Sequence, residues 1–206
     1  MSFKIGNNIA GKADLDLIPG ISMVNLVEVI HHKEYKTKAG NTTPCLELKF
    51  VSIPTEKDQE TRVLTDRFFP SKRYMNFDSS VEKNLAALLR MAKKVKHIYN
   101  AFSVMPEFDV PEDDTAYNVL FAAFAEGLEK VEGYKTQPVW LISCFNGKYQ
   151  SLPGLAVKNF IEPVVSGKAT TLVVDPNLHP LTPEVVGAAS GNDGVAGTGL
   201  EDLPIF

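Results

Sequence analysis

Residues 21 to 69 form three apolar-rich runs separated by polar turns, which predicts three strands. The first, ISMVNLVEVIHHKEYKT, is long and rich in β-branched residues, and it ends at the turn Lys38-Ala39-Gly40-Asn41. In the second, PCLELKFVSI, Leu46, Leu48 and Phe50 alternate with Cys45, Glu47 and Lys49. That period of two marks a half-buried strand. The polar loop PTEKDQE leads into the third, TRVLTDRFF, which Pro70 stops. Short turns between sequential strands make the segment a meander. One of Phe68 and Phe69 must face inward; Phe69, on the face of Val63, Thr65 and Arg67, is expected outward.

The period then changes. Val81, Leu85, Leu88, Ala92, Val95, Tyr99 and Phe102 recur at steps of three and four, with Lys83, Arg90, Lys93, Lys94 and Lys96 elsewhere on the wheel as a solvated face. Ser79 followed by Glu82 reads as a capping box, so an amphipathic helix is predicted. A second helix, from about Asp114 to Val131, presents Tyr117, Leu120, Phe121, Phe124 and Leu128, with Gly133 as its stop. Phe77 is expected in the core or as a staple of the first helix. Strand character returns at QPVWLISCF, where Trp140 alternates with Ile142 and Cys144 and is expected in the core. Asn146-Gly147 and then KYQSL complete a hairpin, and NFIEPVV and ATTLVV are further strand pieces. From Thr182 to Gly199 the composition is that of a flexible linker.

Three strands, a helical segment and a two-strand hairpin follow the order of a five-stranded Greek-key barrel of the OB type. The expected architecture is mainly β: an OB-fold-like barrel over residues 1–181, with two helices between strands 3 and 4 (about 78–133). A disordered Gly-rich and acidic tail over 182–206 completes it. A generic α+β domain is the alternative.

Composition narrows the function classes. No stretch approaches the roughly 20 apolar residues that span a bilayer, so no membrane association is expected. The opening residues lack a basic region followed by an apolar run, so a cytoplasmic location is expected and no secretory signal. Cys45 and Cys144, without metal-binding spacing, are expected to be buried free thiols. The net charge is −4, but after Lys168 the chain holds no Lys or Arg, while Asp175, Glu184, Asp193, Glu201 and Asp202 follow. Setting those five aside from the 25 acids leaves 20 against 21 bases, a near-neutral body with an acidic tail.

Neither GxxxxGK[ST] nor GxGxxG occurs, and no Ser-His-Asp or Cys-His pairing stands out, so no enzyme activity and no catalytic residue are expected. His31 and His32 are adjacent on a strand and point to opposite faces, which disfavours a shared ion. Glu112, Asp113 and Asp114 precede a helix, where acids favour the dipole. No metal and no cofactor are expected.

Single-stranded nucleic acid requires cations along a groove and aromatic faces for bases. The first turn offers Lys33, Tyr35, Lys36 and Lys38, and the second strand Lys49. The third strand and its exit offer Arg62, Arg67, Phe69, Lys72, Arg73 and Tyr74, and the hairpin adds Lys148 and Tyr149. In an OB barrel the strand 2–3 face and the loops 1–2 and 4–5 form the binding groove, and these residues fall on those elements.

The last residues, Glu201-Asp202-Leu203-Pro204-Ile205-Phe206 after a glycine-rich linker, resemble the C-terminal tip of bacterial and phage single-stranded DNA-binding proteins. In that family an acidic pair, an apolar residue, Pro and a terminal Phe form a peptide read by replication and repair proteins. Here Ile205 is inserted between Pro204 and Phe206, which suggests a different or phage-encoded partner. The segments Phe145-Asn146-Gly147-Lys148-Tyr149, Leu152-Pro153 and Asn159-Phe160-Ile161-Glu162 also look like the final hairpin of certain phage-encoded members. The resemblance implies a protein that coats single-stranded DNA during replication, recombination or repair, without sequence preference. It would recruit a polymerase, helicase or recombinase through Glu201, Asp202, Leu203, Pro204, Ile205 and Phe206, and a homo-oligomer is compatible with it. Two other classes stay open: a protein-interaction or virion-associated adaptor on an OB-like barrel, and a metal-dependent nuclease.

Overall fold

The structure, a computed structural model, describes residues 15–54, 60–70, 81–154 and 159–183, without the side chains of 81–84. The elements run β1 (Leu15–Asp16), β2 (Gly20–Lys36), β3 (Thr42–Ser52), β4 (Arg62–Phe68), α1 (Val81–Asn100) and α2 (Ala116–Glu129). A short 3-10 turn (Tyr134–Thr136), β5 (Pro138–Asn146), β6 (Tyr149–Ser151) and β7 (Ile161–Pro163) follow. The predicted meander, both helices and the hairpin are all present. Of the two later strand pieces, Ile161–Pro163 forms β7, while residues 169–174 form no strand.

Among the described residues the strands make one mixed sheet in the order β1-β4-β3-β2-β5-β6, with β7 also paired to β5. Only the β1–β4 pairing is parallel; the other pairings are antiparallel. The sheet curls into a half-barrel because β2 serves two neighbours. Its first residues, Gly20 to Asn25, pair with β5, and from Val24 to Lys36 it pairs with β3. Register shifts between Leu26 and Glu28 and between His32 and Tyr35 interrupt the β2–β3 ladder. Such bulges bend a strand and increase its twist, which lets 17 residues wrap instead of running flat.

The two edges of the curl approach each other. Asp66 of β4 accepts the Leu152 N–H at 3.0 Å, just beyond β6. Leu17, following β1, donates its N–H to the Val63 carbonyl, and its own carbonyl accepts from Gln150 of β6. The concave side carries Val24, Leu26, Leu46, Leu48, Phe50, Leu64, Phe68, Val139 and Leu141, all buried. The helices fill it. Tyr117, Leu120, Phe121, Phe124 and Leu128 of α2 are each at most 1% exposed, as their spacing predicts. On α1, Leu88, Val95, Ile98 and Tyr99 are buried and join the same core. Gly127 of α2 faces Tyr99 of α1: a Cβ there would stand 3.0 Å from the Tyr99 ring.

Glycine sits in both hairpin turns as expected, but the second loop falls one residue later than Asn146-Gly147. Gly40 (φ 85°) and Gly147 (φ 61°) adopt the left-handed conformation that glycine takes without penalty. In the second, Asn146 and Tyr149 close the ladder, so Gly147-Lys148 forms the two-residue loop. Ser79 and Phe77, expected as helix cap and core or staple, lie outside the described residues, as do the linker from residue 184 onward and the tip.

Candidate nucleic-acid interface

The convex face of β2, β3 and β4 is set by register. Glu47 lies opposite Arg67 and Ile30, Lys49 opposite Thr65 and Glu28, and Cys45 opposite His32. Phe68 points inward at 4% exposure, and Phe69 lies half-buried on the outer side, as expected. Tyr35 reaches this face through the bulge. Three residues beyond His32, a regular strand would turn it to the opposite side; the register shift sets it beside Thr43 instead.

Four rings and heads meet there. The Tyr35 ring stands edge-on to Phe69, centroids 5.4 Å apart, and edge-on to His32 at 5.5 Å. The Arg67 guanidinium lies 5.7 Å from the Tyr35 centroid, within cation–π range. Arg67 Nε donates to Glu47 Oε2, and the same oxygen stands 3.9 Å from His32 Nε2. The hydrogen bond to Glu47 raises the Arg67 pKa, so the guanidinium is fixed as a cation. Beneath, burial and then the Glu47 charge push the Cys45 thiol up to about 12, leaving it a neutral, packed group. Cys45 and Cys144 are both buried and free.

The structure thus brings Tyr35, Arg67 and Phe69 together and sets Lys49 on the same face. Lys33 and Lys36 are exposed near the end of β2, and Lys38 is exposed in the turn that follows. Arg62 stands at the far end of β4, about 17 Å from Arg67 along an extended strand. It bonds Glu60 at 2.9 Å and reaches the Asp16 carbonyl. Lys148 and Tyr149 form their own pair on the β5–β6 hairpin, the ammonium 5.2 Å from the ring centroid and Tyr149 64% exposed. Lys72, Arg73, Tyr74 and the six tip residues 201–206 lie outside the described residues.

Two expectations need correction. Trp140 was expected in the core; it is half-buried and packs against the core from its edge. Ile142 and Cys144, which alternate with it, are buried, whereas Trp140 opposes Met23 and lines a groove of about 250 Å³ with Ile18, Ile21, Ile53 and Arg62. Its indole Nε1 is out of water and unpaired. Lys94 was expected on a solvated face with Lys93 and Lys96. Those two are exposed, but Lys94 lies three and four residues from Met91 and Ile98, at the border of the buried stripe. Its ammonium sits 4.5 Å from the Phe68 centroid and 5.9 Å from that of Phe160. Burial lowers the Lys94 pKa and raises that of Asp66, while their mutual attraction opposes both shifts. Asp66 also accepts the Arg67 and Leu152 N–H groups, so this inward acid is satisfied by backbone and cation together.

Sequence reading missed Glu47 as a member of the patch; His32 lies in the same run as Lys33 and Tyr35 at the first turn. The alternation of β3 puts Glu47 on the polar face, but only the β3–β4 register sets it against Arg67. His31 faces inward, its Nε2 3.1 Å from Asn118 Oδ1 of α2, so the two histidines do divide between the faces. Asp113 is exposed and accepts the N–H and hydroxyl of Thr115, a local turn ahead of α2 that holds its carboxyl below the usual range. Among the described residues no group of three or more His, Cys, Asp or Glu side chains is gathered to hold a metal ion. Nor is any helix there long and apolar enough to cross a membrane.

No protein-family model matches the chain, and neither a curated protein nor a solved structure is significantly similar to it.

Proposed function

We propose that this chain is a sequence-independent single-stranded DNA-binding protein whose half-barrel is of the OB type. The observation that carries the reading is the meeting of Tyr35, Phe69 and Arg67 on the convex face of β3 and β4, beside the β2–β3 turn. That is the face and loop an OB barrel uses for oligonucleotides. Strand order supports the barrel class. Counting β2 to β6 as strands 1 to 5, the ladder runs 3-2-1-4-5, and the contact between Asp66 and Leu152 draws the fifth towards the third. β1 and β7 are additions to that plan.

Binding would combine stacking on the two rings with phosphate neutralisation by Arg67, Lys49 and the lysines at the β2–β3 turn. The tip, Glu201 to Phe206, would recruit replication or recombination proteins by its acids and its apolar residues. Binding to labelled oligo-dT across a salt series tests the reading. We expect affinity for oligo-dT well above that for duplex of equal length. It should fall with salt at a slope of about −0.7 per neutralised phosphate. Equal, salt-insensitive binding to both, or none to either, would sink it.

One observation favours the protein-adaptor reading instead. The groove beside Trp140 is lined by Ile18, Ile21, Met23 and Ile53 as well as by Glu60 and Arg62, and the convex patch carries Glu28 and Glu47 as well as its cations. The same titration separates the two, because an adaptor shifts neither oligonucleotide.

A further inference from the structure

The convex patch contains an acid where a phosphate-binding surface gains nothing from one. Glu47 is only 16% exposed, while the Arg67 side chain bonded to it is 43% exposed, so the carboxylate sits low and the guanidinium rides above it. The bond engages Nε, one edge of the planar fork. A guanidinium has five N–H donors, so holding that edge leaves the two terminal amino groups to reach outward. The same grip keeps the planar head 5.7 Å from the Tyr35 centroid, beside Phe69. An arginine fixed at one edge loses less freedom when it binds a phosphate than one swinging in solvent. Against this, a carboxylate beside the arginine repels any phosphate that approaches.

We propose that Glu47 is the positioning residue of the strand-binding patch: it lays Arg67 across Tyr35 with its amino groups outward, and its charge holds affinity below what the cation alone would give. This rests on the single-strand reading above. The two effects separate by substitution. Glu47→Gln keeps an oxygen that can accept from Nε but removes the charge. Glu47→Asp keeps the charge but withdraws it from Nε by one methylene.

The test is oligo-dT binding by the full chain across a salt series, with thermal unfolding of each variant. Glu47→Gln should tighten binding about 3- to 10-fold at low salt and steepen the slope by up to about 0.7. Glu47→Asp should weaken it about 3-fold or more. In an Arg67→Gln background the loss from Glu47→Asp should vanish, because there is no guanidinium left to position. If wild type binds oligo-dT and Glu47→Asp leaves affinity unchanged, the positioning role is overturned while the strand-binding reading stands; if Glu47→Gln leaves affinity and slope unchanged, the opposing charge effect is overturned. A loss from Glu47→Asp that persists in the Arg67→Gln background overturns the positioning role too, since Glu47 would then act without the guanidinium. Absence of oligo-dT binding by wild type overturns the strand-binding reading and this role with it. Should Glu47→Gln fail to fold, Glu47→Asp decides alone: weaker binding supports the role and unchanged binding removes it.

Discussion

Tyr35 and Phe69 are far apart in sequence, and neither is marked as a partner of the other by its local pattern. They meet because β4 delivers Phe69 just past its last paired residue and a bulge in β2 turns Tyr35 outward. If bases stack there, each ring should carry about 1–3 kcal/mol of strand binding. Tyr35→Ala and Phe69→Ala should each weaken oligo-dT binding about 5- to 100-fold, while Tyr149→Ala on the separate hairpin should matter less. Fluorescence anisotropy with labelled oligo-dT would show it; two silent ring deletions would remove the stacking surface from consideration. Phe69 outward and Phe68 inward were legible from alternation alone. The Lys94 side chain was not, since a lysine at the border of a helix stripe can turn either way. It turned inward because Asp66 and two aromatic rings waited there.

At the scale of elements, the helix pair shows how packing overrides local propensity. Replacing glycine by alanine inside a helix ordinarily stabilises it by about 1 kcal/mol. At Gly127 of α2 the new methyl would stand 3.0 Å from Tyr99 Cε2 and 3.1 Å from its hydroxyl oxygen. That ring is 3% exposed and packs against Phe124, so it has little room to yield. Gly127→Ala is therefore expected to lower stability by about 1 kcal/mol, the cost of overpacking exceeding the helix gain. Urea unfolding measures it, and a more stable variant would mean that the helices can part at this point. The spacing of apolar residues in α2 foretold which face is buried, because a 3.6 period leaves a single stripe to hide. It carried no hint that Gly127 would stand against the Tyr99 ring.

For the whole molecule, the near-neutral body and the acidic segment after Lys168 divide the proposed work. In that proposal the half-barrel would hold the strand and the tip would address other proteins. Removing residues 197–206 should leave oligo-dT affinity unchanged or raise it, since acids that compete with phosphate are lost, and should abolish capture of a replication or recombination protein. A large fall in affinity would assign the tip to the DNA site instead. The sequence by itself determined the kind and order of the main elements, the two glycine-bearing hairpin turns, and which side of most strands and helices is apolar. Those follow from short-range periodicity and backbone preference, which neighbouring residues write directly. Only the tertiary structure decided which convex residues share a patch. A bulge shifts faces by one residue, and the register between β3 and β4 sets Glu47 against Arg67 across 20 residues of chain. Such pairings depend on how the sheet curls as a whole, and no local pattern encodes that.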